Sequence, residues 1–103
     1  MGGKRKRSPK LKKKLKSHDG FTRRQLAVKI LEMDPADHEA QLTLLDLIRC
    51  QTPFARQAID DLVYRAKPLA REILPALREA QKSGTRSVRE AARWALKKLE
   101  AKQ

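Results

Sequence analysis

The 103-residue sequence has few of the residues that bind metals or cross-link small folds. It contains one cysteine, Cys50, which cannot form an internal disulfide, and only two histidines. Neither histidine has the spacing to Cys50 that a zinc site requires, so we expect no metal and no cofactor. A single cysteine also favours a reducing, intracellular compartment.

Long apolar runs are also missing. No stretch approaches the roughly 20 apolar residues that a membrane-spanning helix needs, and the charged amino terminus lacks the apolar core of a secretory signal. We therefore expect an intracellular protein without membrane attachment. A chain of this length forms one small domain that buries about 60% of the surface of its unfolded chain, which leaves little room for a deep active-site cleft.

Catalytic motifs are absent as well. The sequence has no glycine-rich phosphate loop, no zinc-protease helix motif and no Gly-x-Ser-x-Gly turn. Asp60 and Asp61 are adjacent carboxylates, but the side chains of consecutive helical residues point about 100° apart and do not converge on one substrate. We expect no catalytic residues and no enzymatic activity.

Positive charge exceeds negative charge, and most of the net excess lies at one end of the chain. The sequence has 25 lysine and arginine residues against 12 acidic residues, which gives a net charge of +13. Nine of these basic residues fall within residues 1–16, which contain no acid, and without them the net charge is +4. The nine are Lys4, Arg5, Lys6, Arg7, Lys10, Lys12, Lys13, Lys14 and Lys16. Such a composition predicts a disordered basic arm over residues 1–20 and a helical domain over residues 21–103.

Apolar residues recur at helical spacing throughout the predicted domain, and no useful length alternates with the period of a strand. The pattern predicts an all-α fold of five short helices. Because the connections are short, neighbouring helices must pack mostly antiparallel. A closed bundle and a short stack of helical hairpins both satisfy this requirement.

Local signals predict where several helices begin and end. Thr22 opens a capping box before a first helix that starts at about Arg23, Asp34 is placed to cap the second helix, and Ser87 opens a capping box for the fifth. Pro75 falls within the fourth predicted helix, where we expect a kink. Gly84 follows that helix and is suited to a left-handed conformation.

Residues 71–100 resemble one HEAT-type repeat. In that family, a helix bent at a proline is followed by a turn and by a second helix that opens with Val-Arg and continues with spaced alanines and leucines. The matching positions are Pro75, Val88, Arg89, Ala92, Ala95, Leu96 and Leu99. The resemblance implies HEAT-like or armadillo-like antiparallel hairpins, with helices 2 and 3 as an earlier hairpin and helix 1 as a cap. An unrelated five-helix bundle explains the same spacing and stays open as an alternative.

The basic arm indicates a polyanionic partner. Its charges repel one another and do not help folding, whereas counterions released from a phosphate backbone would drive binding. We therefore expect DNA or RNA as the partner, bound with little sequence preference. The run from Lys4 to Arg7 also resembles a nuclear localisation signal, beside a proline-directed phosphorylation site at Ser8. We expect the nucleus if the source is eukaryotic and the cytoplasm or nucleoid otherwise; a solubilising tail is the alternative interpretation.

A second basic surface is predicted on the helical domain. Four basic residues of the fifth helix fall within a sector of ~80° on a helical wheel. They are Arg86, Arg89, Arg93 and Lys97. Trp94 lies beside this sector and is a candidate for stacking on a base. A shorter basic stripe on the fourth helix comprises Arg71, Arg78 and Lys82.

The HEAT resemblance implies a different function, that of a protein-protein interaction scaffold or adaptor subunit. The basic arm would then be a nuclear localisation signal or an anchor. A short repeat stack leaves an apolar end uncovered, so the partner would be a larger helical-repeat protein or a second copy of the chain.

Overall fold

The computed structural model describes residues 19–50 and 52–101. It contains α1 (Gly20–Met33), α2 (His38–Arg49), α3 (Ala55–Arg65), α4 (Ile73–Ser83) and α5 (Arg86–Ala101). These ranges hold no strand, so the predicted all-α fold of five short helices is confirmed. None of the helices in the described part of the chain has the length and apolarity needed to cross a membrane. The predicted basic arm lies outside the described residues, except for its last two positions.

The helices contact one another both between neighbours along the chain and between helices that are further apart in sequence. Helix α3 contacts both α1 and α5, and α2 contacts α4. Three pairs that follow one another along the chain also pack, namely α1 with α2, α2 with α3, and α4 with α5. This pattern is compatible with two antiparallel hairpins, α2–α3 and α4–α5, that stack side by side while α1 covers the first of them.

One end of the molecule collects the amino ends of three helices. Gly20 begins α1 and lies against Phe54, which directly precedes α3; a Cβ at Gly20 would come within 3.1 Å of the Phe54 ring. Arg56 of α3 and Arg86 of α5 line the same groove, so the amino ends of these two helices are also neighbours. We call this the arm end, because the basic arm joins the helical domain there.

The core consists of aliphatic side chains, while the aromatic side chains lie near the surface. Ile30, Leu44 and Leu62 are among the large side chains that are fully buried. The four aromatic residues of the chain form two pairs instead. The ring centroids of Phe21 and Phe54 are 6.2 Å apart, and those of Tyr64 and Trp94 are 5.9 Å apart.

The fully buried amide of Gln41 connects two interhelical loops. Its Nε2 donates to the carbonyl oxygens of Pro35 and Pro68, each at 3.0 Å, and its Oε1 accepts from the backbone N–H of Ala70 at 2.7 Å. Pro35 belongs to the α1–α2 loop, and Pro68 and Ala70 belong to the α3–α4 loop. A buried polar group is stable only when its hydrogen bonds are made, so Gln41 fixes both loops against α2.

The predicted cap of α1 is wrong, because a different side chain closes its first turn. Helix α1 begins at Gly20 rather than Arg23, and Asp19 is its cap. The Asp19 carboxylate accepts from the backbone N–H of Phe21 at 3.1 Å and from the hydroxyl of Thr22 at 2.6 Å. These hydrogen bonds lower the pKa of the Asp19 carboxyl, and the bond from the Thr22 hydroxyl has the largest effect.

The predicted caps of α2 and α5 are also wrong. Asp37, not Asp34, caps α2 and accepts from the backbone N–H of Ala40 at 3.0 Å. The α5 helix begins at Arg86, and the hydroxyl of Thr85 accepts from the N–H of Val88 at 3.3 Å. In both cases neighbouring short polar residues compete for one capping position, which residue type alone does not resolve.

Pro75 does not lie in the interior of the fourth helix and Gly84 is not left-handed, so both expectations are wrong. Helix α4 begins at Ile73, so Pro75 is its third residue. A backbone N–H at that position has no acceptor within the helix, so the proline removes no helical hydrogen bond. Because only two residues of α4 precede Pro75, the proline gives this helix no reason to bend. Gly84 has a φ of −81°, which is not left-handed. A Cβ at this position would come within 2.8 Å of Val88, so a close approach explains the glycine.

Replacing Gln41 by leucine should destabilise the fold by about 2–3 kcal/mol, because Pro68 and Ala70 would lose their buried hydrogen-bond partner. Chemical denaturation monitored by circular dichroism measures the effect. The matched control is Gln25→Leu at an exposed position of α1, which should change stability by less than about 0.5 kcal/mol. Equal denaturation midpoints for the two variants would contradict the role assigned to Gln41.

Candidate nucleic-acid interface

The basic stripe of α5 lies on the exposed side of that helix. Arg86, Arg89, Arg93 and Lys97 are all exposed. The opposite side carries the side chains that pack into the core. These are Val88, Ala91, Ala92, Ala95, Leu96 and Leu99. The helical periodicity that buries the apolar residues therefore brings the four cationic side chains together in solvent.

Acidic residues reduce the net charge of this surface only in part. Glu90 accepts from Nε of Arg86 at 3.4 Å, and Glu100 is exposed further along the helix. Both partners of the Arg86–Glu90 pair are solvent-exposed, and such i,i+4 pairs contribute about 0.5 kcal/mol or less. Arg86 can therefore exchange Glu90 for a phosphate at a small energetic cost.

The shorter stripe on the fourth helix is divided between α4 and the loop before it. Arg78 and Lys82 are exposed on α4, whereas Arg71 is exposed two residues before that helix begins. Lys82 lies in the last turn of α4, and Arg49 lies in the last turn of α2. Ile48 and Arg49 line a shared pocket with Ser83 and Gly84, so these two basic turns are close to each other.

Helices α3 and α5 form a groove that sequence reasoning did not predict. Its volume is about 750 Å³. On α3, three side chains at i, i+4 spacing form one wall, and the first three turns of α5 form the other. The lining residues are Arg56, Asp60, Tyr64, Arg86, Ser87, Glu90, Ala91 and Trp94. Two arginines and two carboxylates line the groove, so its charges are mixed rather than uniformly basic.

The aromatic residue most accessible in this groove is Tyr64, not Trp94. Trp94 is half-buried and packs against the core, with the ammonium of Lys98 at 5.7 Å from its ring centroid. The Tyr64 ring packs on Trp94 with an interplanar angle of 49°, yet Tyr64 is 69% exposed. In the sequence, the exposure of Tyr64 is indicated only by its position outside the apolar stripe of the third helix.

The two adjacent carboxylates have different surroundings. Asp61 is 4% exposed and accepts from Nε of Arg24 at 2.8 Å and from Nε of Arg65 at 3.3 Å. Arg65 also contacts Glu32 of α1 at 3.3 Å. These ion pairs fasten α1 to α3, whereas Asp60 lines the groove on the side of α5. The Asp61 carboxylate therefore has a structural role in helix packing.

The histidine and cysteine in the described part of the chain lie on its surface. His38 is exposed, and its Nε2 is 3.1 Å from Glu72 Oε2. The pKa of the Glu72 carboxyl is lowered by its own backbone N–H and then by His38. Cys50 is exposed, 3.8 Å from Asp46. No group of three or more His, Cys, Asp or Glu side chains within 19–50 and 52–101 is arranged to hold a metal ion.

No family model, no curated protein and no solved structure matches this chain. The resemblance of residues 71–100 to a HEAT repeat therefore stays a prediction.

The neighbouring carboxylates provide a matched pair of variants. Asp61→Asn should destabilise the fold by about 1–3 kcal/mol, because two arginines lose a charged hydrogen-bond acceptor inside the α1–α3 contact. Asp60→Asn should change stability by less than about 0.5 kcal/mol, since its side chain borders an open groove. Urea denaturation of both variants measures the difference, and a larger loss for Asp60→Asn would show that the assignment is reversed.

Proposed function

We propose that the protein binds nucleic acid with little sequence preference, with the basic arm along the phosphates and the helical domain fixing the position of the arm. The observation that carries the proposal is the location of the arm end. The arm joins the domain at Gly20, beside Phe54 and the start of α3. Arg56 of α3 in turn shares a groove with Arg86, the first residue of both α5 and its exposed basic stripe. An extended polyanion can therefore contact both basic segments at once.

Electrostatics explains the expected lack of sequence preference. Lysine and arginine contacts to phosphate position a protein on nucleic acid but do not read the bases. The amino ends of α3 and α5 border the groove, and their partial positive charge adds to the attraction for phosphate, whereas the Asp19 carboxylate already occupies the amino end of α1. Each phosphate contact on duplex DNA contributes about −0.9 to the slope of log K against log salt, so nine arm contacts would give at most about −8.

The proposal also covers localisation and its regulation. In a eukaryotic source, the run from Lys4 to Arg7 would serve as a nuclear localisation signal. Phosphorylation of Ser8 would add about two negative charges within the arm and weaken its binding to phosphates. In a bacterial or viral source, only the binding of a polyanion would apply.

A second candidate function is a helical-repeat scaffold that binds another protein. The stacking pattern of the helices is compatible with it, and α1, at one side of the stack, exposes Phe21 (49%) and Met33 (55%). A larger repeat protein or a second copy of the chain would cover this side. Affinity capture with and without nuclease separates the candidates: protein partners retained after digestion favour the scaffold, and partners lost favour nucleic-acid binding.

Two charge variants of the full chain test the proposed function. Replacing all nine basic arm residues by glutamine should remove most of the affinity for labelled duplex DNA and most of its salt dependence. Replacing the four stripe residues of α5 should cause a smaller loss and reduce the slope by up to about 3.6, since each lost contact removes about 0.9. Fluorescence anisotropy at several salt concentrations measures both. Wild-type affinity and slope in the two variants would contradict the proposal.

A further inference from the structure

We propose that the α3–α5 groove binds an unpaired base of a single-stranded nucleic acid, with the base stacked on Tyr64 and the adjoining phosphates held by Arg56 and Arg86. This inference rests on the proposed nucleic-acid binding and deepens it. It assigns a substrate class, single strands or single-stranded segments, to a protein whose basic arm alone would not distinguish them from duplexes.

The exposure of Tyr64 is the first support for this site. The chain has only four aromatic residues, and Tyr64 is the one whose side chain is most exposed to solvent. Trp94 packs against the core and contacts the Tyr64 ring, so this contact holds the tyrosine ring in place. An exposed aromatic ring on a rigid helix is a platform for any base, because every base has a flat π surface.

The mixed charges of the groove are the second support. A row of phosphates alone would be repelled by Asp60 and Glu90, which line the groove together with the two arginines. A nucleotide carries an anionic phosphate that arginine binds, and most bases also carry N–H groups that donate hydrogen bonds to a carboxylate. The groove volume of about 750 Å³ also falls within the range of small-ligand sites.

The position of the groove accounts for the preference for single strands. In a duplex, the faces of the bases are stacked on one another and cannot reach Tyr64 unless a base is extruded, which has an energetic cost. Arg56 lies two residues after Phe54, which contacts Gly20 at the start of α1, so a strand bound along the arm would pass from there to the groove. Duplex binding would use the arm and the basic stripe but not Tyr64.

The single tryptophan of the chain makes the groove directly observable. The full-length protein is titrated with a labelled single strand of about 12 nucleotides, a hairpin duplex, and an abasic strand of equal length. The single strand should quench Trp94 fluorescence, and the duplex and the abasic strand should not. Anisotropy of the same probes gives the affinities.

Substitution of Tyr64 provides the decisive comparison. Tyr64→Leu should weaken binding of the single strand about tenfold and leave the affinity for the duplex within about twofold. Tyr64→Phe should retain binding. Phe21→Leu, in the other aromatic pair, is the matched control and should bind both probes like the wild type.

A second comparison tests the groove without altering its aromatic residues. Arg56 and Lys29 are both exposed, and Arg56→Gln should weaken single-strand binding more than Lys29→Gln does.

The outcomes separate this inference from the proposed function. If Tyr64→Leu and Arg56→Gln bind the single strand like the wild type while the salt dependence of the wild type is steep, the groove assignment is wrong and nucleic-acid binding stands. If the wild type binds neither the single strand nor the duplex at low salt, both are wrong. Equal quenching by the abasic strand would likewise overturn base stacking.

Discussion

The hydrogen bonds of the Gln41 amide determine how the two halves of the helical domain meet. The α3–α4 loop is the longest connection among the described residues, and Gln41 binds it at Pro68 and Ala70. The same amide binds Pro35 in the α1–α2 loop, which also accepts from the backbone N–H of Lys67. These contacts fix the start of α4 beside α2, and α5 is thereby brought against α3. The groove between α3 and α5 depends on that placement.

Ion pairs distribute the charge of the domain unevenly. Near α1, arginines are paired with carboxylates: Arg23 contacts Asp46 at 2.8 Å, and Arg24 contacts Asp61 at the same distance. On α5, four cationic side chains share an exposed surface with two glutamates. Most of the strong pairing therefore occurs at the contacts of α1, and the surface of α5 retains a net positive charge. This division is consistent with α1 serving the fold and α5 serving a polyanionic ligand.

Helical periodicity and proline positions were sufficient to predict the five helices, because both are local properties of the chain. The end of α1 at Met33, before Asp34-Pro35, is an example. Caps were less predictable, since Asp34 and Asp37 are both suitable and only the path of the loop selects Asp37. The groove could not be predicted at all. Arg56 and Tyr64 are far from Trp94 in sequence, and their proximity follows from the α3–α5 contact, which no local pattern encodes.

The central claim is that one nucleic-acid strand occupies the arm and the α3–α5 surface together. Amide chemical shifts of the full-length protein, recorded during titration with a single-stranded oligonucleotide, test this most directly. The account predicts the largest changes in residues 1–16, around Tyr64 and along the first three turns of α5, with little change around Glu39 and Met33 away from the groove. Changes confined to the exposed side of α1, or changes in the arm without any in the groove, would contradict it.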